Sequence, residues 1–261
     1  MRIFIAGFAI ALALMGSARS ETPVDVELIL AVDVSLSMTD RELEIQRRGY
    51  AEALVSEDVV KAIASGVPHG QIALTYIEWA GPTSQRVMID WTLIRTRADA
   101  EAFAGKLTTA FPDALPRTSI SGLIDYAIPR FANNGFAGES RVIDISGDGP
   151  NNGGRPVLAA RAAAAARGIT INGLPLMTRE GTGGQFDLDD LDEYYRQCVI
   201  TGPTSFAIPV LKWEDFPGAV RRKLVLELAG TKPPEFLRHQ VQGYDCLIGE
   251  KIWLRYFGDW N

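Results

Sequence analysis

The stretch Val24-Asp25-Val26-Glu27-Leu28-Ile29-Leu30-Ala31-Val32, running straight into Asp33-Val34-Ser35-Leu36-Ser37-Met38-Thr39, decides the fold. Its first residues alternate apolar with acidic and the rest are continuously apolar, the pattern of a strand buried on both faces of a sheet. The polar turn from Asp33 to Thr39 ends the strand. A helical stretch follows from about residue 40 to 65, with Leu43, Tyr50, Leu54, Val59, Val60 and Ile63 forming an approximate inward face.

Outward from that segment, residues 71–79 and 86–94 read as two strands joined by Gly81-Pro82-Thr83-Ser84, an antiparallel hairpin suited to a sheet edge. Residues 97–110 turn helical, with Ala100, Phe103, Ala104, Leu107 and Phe111 recurring at three and four residues. A loop ending in Pro116-Arg117-Thr118 enters another helix, whose face is Leu123, Ile124, Ala127, Ile128 and Phe131. Pro129 should kink it, because proline lacks the backbone donor and crowds the carbonyl of Asp125. Residues 141–146 read as a strand closed by Gly147-Asp148-Gly149-Pro150-Asn151-Asn152-Gly153-Gly154. Then come a helix at 155–167 containing the Ala-rich run, a strand at 169–176, a helix at 188–199, a strand at 205–210 and a helix at 216–229. Strands alternating with helices imply an α/β fold with a doubly wound, mostly parallel sheet and helices on both faces.

The two ends of the chain carry different signals. Met1-Arg2, an apolar run from Ile3 to Met15 and the small residues Gly16-Ser17-Ala18-Arg19-Ser20 read as a secretory signal cleaved after Ser20, with an uncleaved anchor or a buried first helix as the alternative. The run is too short to span a bilayer comfortably, so no stable membrane span is expected after cleavage, and the mature chain should be periplasmic or secreted. The division expected is 1–20 as signal peptide, 21–232 as one domain and 233–261 as a tail, whose Trp253, Tyr256, Phe257 and Trp260 should bring it back onto the body. Removing Arg2 and Arg19 from 26 basic residues leaves 24 against 32 acidic, a net charge of minus 8 that argues against nucleic acid as a partner. Cys198 and Cys246 are the only cysteines; in an oxidising compartment they should form a disulfide worth roughly 4 kcal/mol in the chain-entropy model, with two buried thiols as the alternative.

In a doubly wound sheet ligands collect at the carboxyl ends of the strands, where the topology switches. Oxygen side chains stand at three such places: Asp33, Ser35 and Ser37 after the first strand, Thr118 before a helix, and Asp148 after the 141–146 strand. Alternate spacing in an extended segment sets Asp33, Ser35 and Ser37 on one side. Two carboxylates and three hydroxyls suit a small, hard cation that keeps some of its waters, Mg²⁺ or Mn²⁺ before Ca²⁺ and better than Zn²⁺. Read one at a time, Asp33 or Ser37 could cap the first helix, Thr118 the next, and Asp148-Gly149 could be a turn.

Taken together, Asp33-x-Ser35-x-Ser37 after an apolar strand, Thr118 opening a helix and Asp148-Gly149 after another strand resemble the metal-ion-dependent adhesion site of von Willebrand factor A domains, over roughly residues 24 to 230. The resemblance implies that Ser35, Ser37 and Thr118 offer hydroxyls to the metal while Asp33 and Asp148 act directly or through water. The signal and the tail from Cys198 onward also resemble a bacterial group of secreted proteins of this type with no assigned function. Two residues depart from the pattern: Pro129 behind Thr118, and Gly147, where the family more often has Thr.

Enzyme readings find less support. A haloacid dehalogenase-type phosphatase needs a second Asp where Ser35 stands. A Gly-x-Ser-x-Gly elbow is absent, and neither His69 nor His239 has the sequence context of a triad. Gly181-Thr182-Gly183-Gly184 is not followed by the Lys-Ser/Thr that would hold a phosphate. The function expected is therefore a non-enzymatic, metal-dependent binding module that grips an acidic group of another protein or of a surface polymer. A metal-dependent hydrolase and a structural domain with a vestigial site are the alternatives.

Overall fold

A strand whose side chains are apolar on both faces has to lie inside a sheet with helices above and below it, and β1 (Thr22–Asp33) does so. The computed structural model describes residues 21–108, 114–178, 187–231 and 243–258. The expected signal segment 1–20, Phe111, Gly181-Thr182-Gly183-Gly184, His239 and Trp260 lie outside the described residues. With β2 (Ile72–Trp79), β3 (Gln85–Ile94), β4 (Phe136–Gly147) and β5 (Thr170–Pro175), β1 forms a five-stranded sheet of order β3-β2-β1-β4-β5. All pairings are parallel except the edge hairpin β2-β3. This is the expected doubly wound α/β fold. The chain leaves β1 towards β2 on one side and reaches β4 on the other, so the topological switch lies between β1 and β4.

The helices sort onto the two faces as the side-chain period of the strands requires. Val26, Leu28, Leu30 and Val32 join one core with α1 (Asp40–Leu54), α2 (Glu57–Ala64), α3 (Arg97–Leu107) and α7 (Phe216–Leu228). Ile29 and Ala31 point the other way, into a core shared with α4 (Ile120–Ala127), α5 (Val157–Ala165) and α6 (Leu191–Tyr194). Each fully buried Leu, Ile or Val contributes roughly 1.5–3 kcal/mol relative to exposure, so the central place of β1 is fixed by its own composition.

Local chemistry redraws several boundaries. The stretch 40–65 is two helices: Ser56 interrupts it, donating to the carbonyl of Ala53 (2.7 Å) and accepting from the amide of Val59 (3.4 Å) as the cap of α2. Pro129 does not kink a helix. The α-helix stops at Ala127, and residues Ile128–Phe131 continue as a tighter 3₁₀ turn that tolerates proline near its start. The helix expected at 188–199 is α6 followed by a π turn at Tyr195–Val199. Residues 205–210 touch β5 only through isolated bridges, Gly173 with Ala207 and Leu176 with Val210. Pro209 interrupts that segment, and without an N–H it cannot extend the ladder.

The cysteines are paired, Cys198 to Cys246, with Cα atoms 5.5 Å apart. Two residues further on begins α8 (Ile248–Phe257), an element the sequence pattern does not announce, which lies against the loop after β4.

One polar cluster is enclosed between the sheet and α7. Lys223 is 0% exposed and pairs with Asp144 of β4 at 2.5 Å and with Glu227 one turn later; Glu227 also accepts from Asn172 Nδ2 (2.9 Å). Burial and the neighbouring charge of Asp144 push Glu227 up to about 7. Lys223→Met should cost about 3–5 kcal/mol at pH 8, because it leaves two buried carboxylates without their cation. A carboxylate raised in the folded state takes up its proton as pH falls, so the deficit in denaturant unfolding should shrink between pH 7 and pH 5.

Candidate metal centre

Asp33 is the last residue of β1 and is completely buried. Its Oδ1 accepts from the amide of Ser35 (2.7 Å), while its Oδ2 is buried without a hydrogen-bond partner. The following residues stay extended for one more step: Leu36 N donates to Leu115 O and Leu115 N donates to Val34 O, both at 2.9 Å, which brings the loop before Thr118 alongside Ser35. A turn then closes from Met38 N to Ser35 O (3.0 Å), and the hydroxyls of Ser35 and Ser37 lie 2.9 Å apart.

Asp148 stands just past β4, the neighbour of β1 across the switch point. Its Oδ1 is also buried without a partner. Burial raises its carboxyl to about 6, opposed by a hydrogen bond from Ser37 and reinforced by the charges of Asp187 and Glu42. Asp33 is pushed well above the usual carboxylate range, first by burial and next by the charge of Asp148. Thr118 is buried beside them, with its Oγ1 4.0 Å from where a Cβ on Gly149 would stand. The five residues expected to share a site thus come together: Asp33 interacts with Ser35 and Asp148, Ser37 with Ser35 and Asp148, and Thr118 lies across from Gly149.

Neighbouring residues do the helix capping. Thr39, in a capping box with Glu42, caps α1, and Ser119 caps α4 by accepting from Gly122 N (3.0 Å). Asp33, Ser37 and Thr118 are therefore not needed at helix ends. Gly147, where a Thr was expected, has a steric cause in this chain. A Cβ there would stand 2.9 Å from both Asp33 Oδ2 and the hydroxyl of Tyr195, closer than side-chain carbons approach.

Sequence reasoning missed the layer behind these residues. Asn152 Oδ1 accepts from Thr118 N (2.9 Å) and Asn152 N donates to Thr118 O (2.8 Å), while Asn151 Oδ1 accepts from Ser121 N (2.9 Å). Gln46 donates to the carbonyl of Asp33 (3.2 Å) and accepts from Ser146 (3.3 Å), tying the ends of β1 and β4 together. Asn151-Asn152 after a strand was a visible signal, but a polar loop pair without a partner in the sequence reads as a turn.

Chemically, a buried and a half-buried carboxylate side by side, each with a buried, unpartnered oxygen, form an electron-rich hollow rimmed by hydroxyls. Buried polar atoms are nearly always partnered, and a carboxylate pair in a low dielectric calls for a proton or a cation. Oxygen donors alone, few of them charged, fit a hard divalent ion that retains water. Among the described residues no cluster of three or more His, Cys, Asp or Glu side chains offers a different type of metal site.

Solved structures with the same fold include proximal thread matrix protein 1 from the mussel byssus with a zinc-occupied MIDAS motif (17% identity over 80% of this chain and 49% of that one, TM-score 0.54). Others are the pilus adhesin SpaC from Lactobacillus rhamnosus GG (11%, 78% and 30%, 0.56) and a von Willebrand factor type A protein from Catenulispora acidiphila (13%, 78% and 43%, 0.50). This chain spans half or less of those proteins, and at such identities the likeness concerns the fold. No curated protein matches the sequence. Residues 23–232 match the model of the family described as protein of unknown function (DUF1194), and the chain belongs to that family, with the fold of a von Willebrand factor A domain.

Proposed function

We propose that this protein is an exported, divalent-metal-dependent binding module in which Asp33, Ser35, Ser37, Thr118 and Asp148 hold Mg²⁺ or Mn²⁺ and the ion grips an acidic group of another protein or a surface polymer. The observation that carries the reading is the fully buried carboxylate of Asp33 beside the half-buried Asp148, mutually repelling and each with a buried, unpartnered oxygen, at the switch point between β1 and β4. A site made only for stability would leave neither oxygen bare, since an unsatisfied buried acceptor costs about 1–3 kcal/mol.

When bound, the ion supplies an electrophilic centre with open coordination positions, because only two of its five protein ligands carry charge. The residues of the chain do the rest. Ser35 N holds Asp33 in one orientation, the paired serine hydroxyls set the spacing on one side, and the asparagine pair fixes Thr118 on the other. Leu36, 60% exposed between the two serines, gives a partner an apolar contact beside its acidic group. Glu42, a buried carboxylate whose charge reaches Asp148, is already engaged by the amide of Thr39 (2.7 Å) and by Trp213 Nε1 (3.0 Å), which favours binding over general-base turnover. The byssus protein with its zinc-filled motif and the pilus adhesin are in keeping with such a role. The Cys198–Cys246 disulfide suits the oxidising compartment that export to the periplasm or beyond implies.

Calorimetric titration of the purified protein with Mg²⁺, Mn²⁺ and Zn²⁺ should give saturable 1:1 binding that is lost in Asp33→Ala; no binding by the wild type would sink the metal grip and leave a vestigial site. Release of phosphate or ester by the metal-loaded protein would instead favour the hydrolase.

A second expectation separates a cation site from a structural turn. Asp148 is raised from 3.8 to about 6, so the folded state holds its proton more tightly than the unfolded chain, and metal-free stability falls as pH rises from about 4 to above 6. Asp148→Asn keeps the shape without the charge. It should raise metal-free stability by about 1–3 kcal/mol at pH 7, the gain fading towards pH 4. A loss of stability at pH 7 would mark Asp148 as a structural residue.

A further inference from the structure

The loops that carry Thr118 and Asp148 are held by an element outside the matched 23–232 span. Helix α8 reaches both. Gly249 lies so close to the loop after β4 that a Cβ on it would stand 2.1 Å from the carbonyl oxygen of Asn151, so only glycine allows the two backbones this approach. One residue on, Glu250 Oε1 accepts from Asn151 Nδ2 at 2.7 Å. One turn further, the ring of Trp253 lies under the guanidinium of Arg117, 4.2 Å from the ring centre. Arg117 immediately precedes Thr118 and has a left-handed backbone (φ 69°), a conformation a non-glycine residue keeps only where its surroundings hold it.

From Asn151 the connection runs inward. Its Oδ1 accepts from Ser121 N, and its neighbour Asn152 bonds both the N–H and the carbonyl of Thr118. The same loop is also held by the segment that bears Cys198: Tyr194 Oη accepts from Asn151 N (3.1 Å) and Tyr195 Oη donates to Gly147 O (3.5 Å). Cys198 is bonded to Cys246, two residues before α8. The Asp148 loop is therefore fastened by two segments that the disulfide joins.

We propose that α8 is a clasp that positions the candidate ligands Thr118 and Asp148, with Glu250 as a positioning residue acting through Asn151 and the Cys198–Cys246 bond keeping the clasp shut. The proposal rests on the metal-site reading above for its consequence, but not for its geometry. A carboxylate-to-amide hydrogen bond is stronger than a neutral one, so Glu250 fixes the side-chain amide of Asn151 and thereby the acceptor that Ser121 N uses.

The test compares wild type, Glu250→Ala, Glu250→Gln and the double variant Cys198→Ser/Cys246→Ser by amide hydrogen exchange in NMR and by Mn²⁺ affinity. In Glu250→Ala, exchange at Thr118, Ser121 and Asn152 should speed up about ten-fold, the factor set by losing one charge-assisted bond, while the amides of β1 stay as protected as before. Mn²⁺ affinity should fall by a similar factor. Glu250→Gln retains an acceptor for Asn151 without the charge and should fall between the wild type and Glu250→Ala, and the double cysteine variant should follow Glu250→Ala. Unchanged exchange at those three amides, equal acceleration in β1, or a glutamine variant as impaired as the alanine one would each overturn the clasp. A wild type that binds no Mn²⁺, beside faster exchange at those amides in Glu250→Ala, would keep the clasp and defeat the metal reading.

Discussion

β1 is buried on both faces, so every charged group it carries has to be satisfied at one of its two ends. At the amino end this happens within the protein. Asp25 accepts from the amides of His69 (2.9 Å) and Gln71 (3.1 Å), and Glu27 accepts from Gly138 N (2.8 Å) and Asn134 Nδ2 (2.5 Å). At the carboxyl end it does not, since Asp33 keeps one oxygen bare beside the carboxylate of Asp148. The same strand thus carries two acids held by hydrogen bonds within the protein and one with an oxygen left unpartnered. That asymmetry, not the mere presence of acidic residues, distinguishes the end of the sheet proposed to bind from the end that only folds.

The arrangement around Asp33 divides labour among adjacent residues. Thr39 and Ser119 cap their helices, which removes that duty from Ser37 and Thr118 only two and one residues away. Gly147 yields its side chain so that Asp33 Oδ2 and the Tyr195 hydroxyl can both occupy the space beside it. Trp79 and Tyr195 wall the carboxylate off from water, and low dielectric strengthens whatever charge interaction the hollow makes. The cost is a fold destabilised by unpaired buried charge, which the rest of the structure offsets.

The offset comes from two places. One is the pair of apolar cores above and below the sheet; the other is the covalent and polar fastening of the loops. The disulfide joins the π turn after α6 to the segment just before α8, so two elements far apart in the chain both fasten the loop after β4. A loop held in this way loses little further freedom when it takes a ligand, which is the entropic advantage of a preorganised site.

The doubly wound sheet was legible in the sequence, because the apolar run Leu28–Val32 at the end of the first strand and the alternation of later strands and helices leave a central parallel strand as the way to bury both faces. The sequence also placed Asp33, Ser35, Ser37, Thr118 and Asp148 at strand ends and helix starts, where their spacing is short-range and readable. Only the tertiary structure decided that the hydroxyls and carboxylates converge, that capping falls to Thr39 and Ser119, that Ser56 and Pro129 end helices the periodicity would prolong, and that α8 reaches back to Asn151. The reason is physical. Burial patterns repeat every two or 3.6 residues and can be read locally, whereas the partner of a buried polar group is chosen by contacts between residues as distant as Asn151 and Glu250, which no local period encodes.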